Sequence, residues 1–300
     1  MAALLTHLPQ TRSQSARLAE VFLRAEGQLA VLTGAGISTD SGVPDYRGPK
    51  GIYVKNKDYR PIRYQEFVSS HPTRQRYWSR SYLGFPRIAR ALPNRAHIAL
   101  RALQPTQISG LITQNVDGLH PQWDKSPPIE MHGSLHRVHC LACKHAIART
   151  DFQHTVGAMN PELVEWARRN PRASEGDVAS STRPDGDVEA EWDSSGFRYP
   201  DCEACGSGML KPSVVFFGEN IDLATRDKTF DLVDSARALL CIGTSLQVYS
   251  AFRLVARAKA KGAPVAVLSL GETRADSLVD LKIEDSCADV LEGVQELLGC

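Results

Sequence analysis

V-L-T-G-A-G-I-S-T-D-S-G-V-P-D-Y-R, residues 31–47, is the stretch whose reading decides the fold. An apolar run, Leu29 to Leu32, ends at Gly34-Ala35-Gly36 and is followed by Ser38, Thr39, Asp40 and Ser41. That order predicts a buried strand turning into a small-residue loop, with capping residues opening the next element. Glycine lets backbone approach a ligand closely, and free N–H groups near a helix start form a nest for anions, so a phosphate-bearing ligand is expected. A plain structural turn accounts for the same residues. The dinucleotide fingerprint of hydride-transfer enzymes needs a third glycine and, about twenty residues on, an acid after a second strand. Here the third position is Thr39, and Tyr59 to Tyr64 is a polar, Arg-rich loop. The turn Pro44-Asp45-Tyr46-Arg47 therefore has to carry the difference.

A chain of 300 residues suits one large domain, or one domain carrying an insert. With 42% apolar and 23% charged residues it has the balance of a soluble globular protein. Its net charge of +1 gives no reason to expect nucleic acid or a membrane as partner. No apolar run approaches the ~18 residues of a spanning helix. The cysteines number seven, which argues against a secreted disulfide framework and for a reducing compartment. At the N-terminus, residues 1–19 hold Arg12 and Arg17 and no acid, loosely like a transit peptide. Leu18, Val21, Phe22 and Ala25, ending at Gly27, instead follow helical spacing. A core-facing helix is expected over 14–26, with Met1 to Ser13 disordered or cleaved.

Between Lys50 and Leu103 the chain is rich in Arg and aromatics at helical spacings, which predicts a small helical module ending in a sheet-packing helix from Asn94. Its arginines suit a solvated face, or one or two reach an anionic group. Gln107 to Thr113 reads as a strand ending in Gln114-Asn115-Val116-Asp117, and Ile129 to Ser134 as a second strand-to-loop switch around His132. Side chains at the carboxyl ends of parallel strands face the ligand crevice, where Asn and Asp can hold a carboxamide and ribose hydroxyls. A polar turn and a structural histidine explain these residues as well. Pro161 to Arg169 can be helical. Val214 to Glu219 reads as a β-rich run returning to the sheet, its edge open to an extended peptide. Ala238 to Ile242 is a buried strand ending in Gly243-Thr244-Ser245, a second phosphate or ribose loop. A helix over 248–260, a strand over 264–270 and a helix over 289–298 follow. The fold class is α/β, a doubly wound parallel sheet of Rossmann type with a smaller zinc-binding and helical module inserted. The main domain comprises 14–49, 94–138 and 211–298; the module comprises 50–93 and 139–210.

Cys140-Leu141-Ala142-Cys143 and Cys202-Glu203-Ala204-Cys205 are the strongest local signal. Each C-x-x-C presents two thiolates, and two pairs complete a tetrahedral shell for one structural zinc with no open position. Redox use would need one pair only. The spacer is far longer than in a compact zinc ribbon. Its second part, 170–196, is polar and acidic, with Arg172, Glu175, Asp177 and Glu189 among its charges, and reads as a loop ordered on contact.

In order, G-A-G-I-S with P-D-Y-R (34–47), T-Q-N-V-D (113–117), H-G-S (132–134), the two C-x-x-C pairs, V-F-F-G-E (215–219) and G-T-S (243–245) resemble the sirtuin family. R-Q-R-Y-W (74–78), P-D-G-D-V (184–188) and S-L-Q-V-Y-S (245–250) resemble its class II branch, which includes a mitochondrial animal member. The resemblance implies NAD-dependent removal of acyl groups from lysine. Acyl oxygen attacks C1′ of the nicotinamide ribose, nicotinamide leaves, His132 takes a proton from the ribose hydroxyl, and water completes formation of acyl-ADP-ribose. It implies catalytic roles for His132, which takes that proton directly or by relay, Asn115 and Asp117. It implies a cofactor wall of Gly34, Ala35, Gly36, Thr39, Asp45, Tyr46, Arg47, Gln114, Asn115, Asp117, Gly243, Thr244, Ser245, Ser269, Leu270, Gly271 and Cys287, substrate pairing along Val215, Phe216, Phe217 and Gly218, and zinc on Cys140, Cys143, Cys202 and Cys205.

The chain departs from the family in Ser269, where many members have Asn, and in Ala288 after Cys287, where Gly is frequent. The Tyr and Arg that mark succinyl-preferring members have no clear counterpart in Arg76 to Phe85, and the long spacer can reach the acyl pocket in class II relatives. The expected partner is an acyl-lysine protein or peptide substrate, with the chain a monomer in the mitochondrial matrix, or alternatively in the cytoplasm or nucleus. Mono-ADP-ribosyl transfer to protein and a non-catalytic NAD-sensing adaptor are the competing functions.

Overall fold

The computed structural model describes residues 2–300 apart from 122, 124–126, 172–182, 189 and 207–208, with backbone alone for residues 2–9. Strands β1 (Leu29–Thr33), β2 (Ile108–Thr113), β3 (Ile129–Glu130), β7 (Ala238–Ile242), β8 (Val265–Leu268) and β9 (Leu281–Ile283) form a parallel sheet in the order β3-β2-β1-β7-β8-β9. Every residue of β1, β7 and β8 is buried, as expected of strands covered on both faces. On one face lie α1 (Ala2–Ala25), α5 (Arg95–Gln107) and α10 (Cys287–Leu298), burying Phe22, Leu100 and Leu291 against Val31 and Leu240. On the other, α8 (Leu223–Ser235) and α9 (Tyr249–Ala260) bury Val233 and Leu254 against Leu32 and Leu239. From β1 the chain builds the sheet outward through β2 and β3, then returns to the far side of β1 at β7. That reversal places a crevice outside the carboxyl ends of β1 and β7, where ligands of such sheets bind.

A second sheet, antiparallel in the order β5-β4-β6, joins β4 (Gly133–Cys140), β5 (Ala146–Ala148) and β6 (Leu210–Val214). Around it pack α3 (Tyr64–Ser69), α4 (His71–Arg90), α6 (Arg149–Met159) and α7 (Pro161–Arg169), with a core of Phe67, Trp78, Phe152 and Phe216, while α2 (Ile52–Lys55) places Val54 at the crevice. Phe67–Phe216 and Phe67–Tyr77 meet edge to face at 5.3 and 5.5 Å, a geometry that adds about 1 kcal/mol per pair to burial. Ser70 caps α4 by accepting from the Thr73 N–H, and Asn94 caps α5 by accepting from those of Ala96 and His97.

Three expectations change. The first helix starts at Ala2, not residue 14, because its polar residues find tertiary partners: Thr11 Oγ1 donates to Asp285 and the buried Ser15 to the Val290 carbonyl. Glu26 and Gly27, both at positive φ, end it. The run from Val214 does not return to the main sheet. β4 offers a free antiparallel edge that Leu210–Val214 takes, and Val215 to Glu219 then crosses the crevice mouth as irregular chain, Val215 N–H donating to the His132 carbonyl. The second half of the acidic spacer is no free loop. Asp187 pairs with Arg183 and Arg80, Trp192 packs on Trp166 and Phe197 is buried. Burial pushes the carboxyls of Asp185 and Asp187 up to about 6. The arginines of α4 serve this packing, Arg80 donating to the Val188 carbonyl and Arg74 to those of Phe67 and Val68. Arg172, Glu175, Asp177 and Glu189 lie outside the described residues.

Candidate active site

The loops after β1 and β7 lock together at the switch point. Gly34 N–H donates to the Ile242 carbonyl at 3.0 Å and Gly36 N–H to that of Gly243 at 2.8 Å. The two glycine N–H groups are thus consumed by the fold, and the expected nest of free donors is not what these glycines provide. They are small because a Cβ on Gly34 would stand 2.7 Å from that of Thr244. Ala35–Ser41 continues as a 3₁₀ helix.

From the end of β2, Gln114 spans the crevice floor, its Nε2 donating to Thr244 Oγ1 (2.9 Å) and to the Thr33 carbonyl (3.2 Å). Asn115 Nδ2 donates to Ser38 Oγ (3.0 Å) and to the Gly34 carbonyl, leaving its amide oxygen for a ligand. Ser38 Oγ passes the bond on, donating to Asp117 Oδ2 at 2.8 Å, while Asp117 Oδ1 accepts from Leu119 N–H. Burial raises the Asp117 carboxyl above the usual range, outweighing the lowering by these two donors.

His132, just beyond β3, is fixed by both ring nitrogens. Nδ1 lies 3.1 Å from the Gln114 carbonyl and Nε2 2.9 Å from Ser250 Oγ. A carbonyl only accepts, so Nδ1 carries the proton and Nε2 presents a lone pair. Burial, with the Arg253 charge adding to it, lowers the imidazole to about 4, so it stands neutral near pH 7.

Asp45 Oδ1 accepts from Gly48 N–H at 3.0 Å, the Arg47 guanidinium lies 4.6 Å over the Tyr53 ring, and burial raises the Tyr46 phenol. Across the mouth, buried Lys211 pairs with Glu219 at 2.9 Å, and the same carboxylate oxygen accepts from Phe216 N–H at 2.8 Å, fixing the 215–219 segment. One cavity of about 860 Å³ unites these parts, within the range of small-molecule sites. Each residue expected at the cofactor wall, His132 and the run Val215 to Gly218 line it, Ser269, Leu270, Gly271 and Cys287 at the end formed by β8 and α10. Pro184 and Asp185 of the spacer, Ser250 and Arg253 line it too. Ser250 closes the S-L-Q-V-Y-S run and Arg253 lies three residues beyond it; nothing in their spacing ties them to His132, which reaches them only through the tertiary fold.

At the far end of the small module, Cys140 and Cys202 are buried and Cys143 and Cys205 exposed, all four sulfurs lying within 4.8 Å of one another. Cys140–Cys205 and Cys143–Cys202 stand at 3.5 and 3.6 Å. A tetrahedral thiolate site with Zn–S near 2.3 Å requires S···S of about 3.8 Å, so the four sulfurs fit zinc. Lys144 and Gly206, at positive φ after each pair, turn the chain so that their N–H groups donate to the carbonyls of Cys140 and Cys202.

A doubly wound domain with a neutral histidine on its cavity wall and a four-cysteine cluster in the inserted module departs from the fingerprint of hydride-transfer dehydrogenases. The Sir2 family model matches residues 34–250. A Batrachochytrium dendrobatidis protein named NAD-dependent protein deacylase SIR4 is 50% identical, covering 94% of this chain and 93% of its own. Drosophila melanogaster NAD-dependent protein deacylase Sirt4 is 39% identical over 95% and 88%. A solved Sir2 structure with deacetylated p53 peptide and 3′-O-acetyl-ADP-ribose superposes with a TM-score of 0.69, 26% identity, and 95% and 98% coverage. One with p53 peptide and NAD+ gives 0.66, 28%, and 90% and 93%. The chain belongs to the Sir2 family, the sirtuins.

Proposed function

We propose that this chain is an NAD-dependent protein-lysine deacylase that passes the acyl group to ADP-ribose and releases nicotinamide. The observation that carries the reading is His132, neutral, with its Nε2 lone pair on the wall of a cavity also walled by the two interlocked glycine loops and by Val215 to Gly218. Relatives named NAD-dependent deacylases and Sir2 structures holding NAD+ or acetyl-ADP-ribose support it. NAD, when bound, supplies the electrophilic ribose carbon. Asn115 and Asp117, tied to each other through Ser38, orient the nicotinamide end. Asp45, Tyr46 and Arg47 cover it against water. Gly34 to Gly36, Thr39, Gln114, Gly243 to Ser245, Ser269 to Gly271 and Cys287 line the diphosphate and adenosine. Val215 to Gly218 offers backbone to an extended acyl-lysine peptide, and His132 accepts the proton of a ribose hydroxyl. Cys140, Cys143, Cys202 and Cys205 hold a structural zinc.

The class II assignment rests on residues 74–78, 184–188 and 245–250. A matrix location rests on the acid-free first 19 residues; since Thr11 and Ser15 are bonded into the fold, any targeting segment ends before them. No helix among the described residues is long and apolar enough to cross a membrane. The test is mass spectrometry of an acyl-lysine peptide panel with NAD. Wild type is expected to shorten at least one peptide by its acyl mass, and His132→Ala to lose this activity by about a hundredfold or more. Equal turnover in that variant, or ADP-ribose added to protein with every peptide intact, would overturn the reading.

A further inference from the structure

The lone pair of His132 Nε2 is already taken by Ser250, at 2.9 Å. With Nδ1–H committed to the Gln114 carbonyl, Nε2 can only accept, so the Ser250 hydroxyl donates to it. That hydroxyl has a single hydrogen, and its oxygen lone pairs remain open. Ser250 is the second residue of α9, held by the helix, and it lines the same cavity as His132. A ligand hydroxyl in the cavity can therefore donate to Ser250 Oγ, which itself donates to Nε2. Arg253, one turn further along α9, faces the same ring and opposes a lasting positive charge there.

We infer that Ser250 is a proton-relay and positioning residue for His132, standing between the imidazole and the hydroxyl that must lose its proton. This rests on the deacylase reading. The ligand O–H bond breaks as its proton moves to Ser250 Oγ, and its electron pair stays on the ligand oxygen. Ser250 releases its own proton to Nε2, the imidazole becomes imidazolium, and Ser250 ends as it began. Before that step, the Ser250 hydrogen bond and the Gln114 carbonyl together fix the plane of the ring. The step follows nicotinamide departure in the proposed order, so Ser250 is needed for acyl transfer and dispensable for nicotinamide exchange.

The experiment uses full-length protein in wild-type, Ser250→Ala, Ser250→Cys and Ser250→Thr forms. One readout is the ¹⁵N spectrum of the His132 ring without ligand. The other is peptide-dependent exchange of labelled nicotinamide into NAD, set beside deacylation of the same peptide. Wild type is expected to show the Nδ1–H tautomer with a hydrogen-bonded Nε2, and Ser250→Ala to lose that hydrogen-bond shift. Deacylation should fall about tenfold or more in Ser250→Ala, less in Ser250→Cys, whose thiol keeps the shape and donates weakly, and remain near wild type in Ser250→Thr, with exchange within about twofold throughout. Wild-type deacylation in Ser250→Ala, or exchange and deacylation falling together, would overturn the inference. A wild-type protein with no peptide-dependent exchange would instead bring down the deacylase reading, and the ring spectrum would still decide whether Ser250 holds His132.

Discussion

Gly36 and Gly243 meet backbone to backbone: a Cβ on Gly36 would lie 2.9 Å from both the Cα and the carbonyl oxygen of Gly243. Gly243 itself sits at φ +59 with its missing Cβ against Ile37 N. Gly243→Ala should therefore cost about 3 kcal/mol, combining left-handed strain with a clash that only backbone movement relieves. Gly262→Ala is the control, at φ +79 with open space around it, and should cost about 1 kcal/mol. Urea midpoints of the two variants check this; equal shifts would contradict it.

Ser38→Ala removes the link between Asn115 and Asp117 and leaves Asp117 Oδ2 without its donor. A buried acceptor left unpaired costs about 1–3 kcal/mol. Steady-state kinetics should show kcat/KM for NAD reduced by about tenfold or more, with peptide KM little changed.

Lys211→Met should do the opposite. It strips Glu219 of its buried partner and loosens the carboxylate that holds Phe216 N–H. Peptide KM is expected to rise about tenfold while the Kd for NAD, read by calorimetry, stays within about twofold. A parallel loss of NAD affinity would show that the 215–219 segment is not the peptide wall.

The His97 contribution to stability should be lost in mild acid. Burial lowers His97 to about 4, below the 6.5 of the unfolded chain. Between those values the unfolded state binds the extra proton, so stability is full above pH 6.5 and declines as pH drops through the window. At pH 5 the loss from this one residue is about 2 kcal/mol. His97→Gln keeps an acceptor for the Asn94 N–H and cannot titrate, so its urea midpoint should drop less between pH 7.5 and 5 than that of wild type.

The parallel sheet was legible in the sequence because β1, β7 and β8 are uninterrupted apolar runs, each punctuated by a small-residue loop. α7 fell where its spacing put it, at Pro161–Arg169. The four cysteines announced their own cluster. What stayed hidden depends on partners distant in the chain. Leu210–Val214 pairs with β4 rather than the main sheet because of an edge no local pattern reveals. Asp185 and Asp187 look solvated in sequence, yet Asp187 pairs with Arg80 of α4 and Asp185 lines the cavity, both with carboxyls raised by burial. Ser250 looks like a helix start and is the donor to His132.

Removing the metal should unfold the small module first. Structural zinc sites contribute on the order of 10 kcal/mol in folding, so Cys202→Ser, or a strong chelator, should release one zinc and lower Tm sharply. Unchanged Tm in zinc-free protein would show that the cysteine cluster is not structural.

The central claim is that NAD is consumed to take an acyl group off lysine. The most direct measurement is product stoichiometry, with nicotinamide, free-lysine peptide and acyl-ADP-ribose quantified together by mass spectrometry from one reaction. Equimolar formation of all three, with nicotinamide release absent until acyl-peptide is added, is the predicted result. Nicotinamide released at the same rate without peptide, or deacylated peptide without acyl-ADP-ribose, would contradict it.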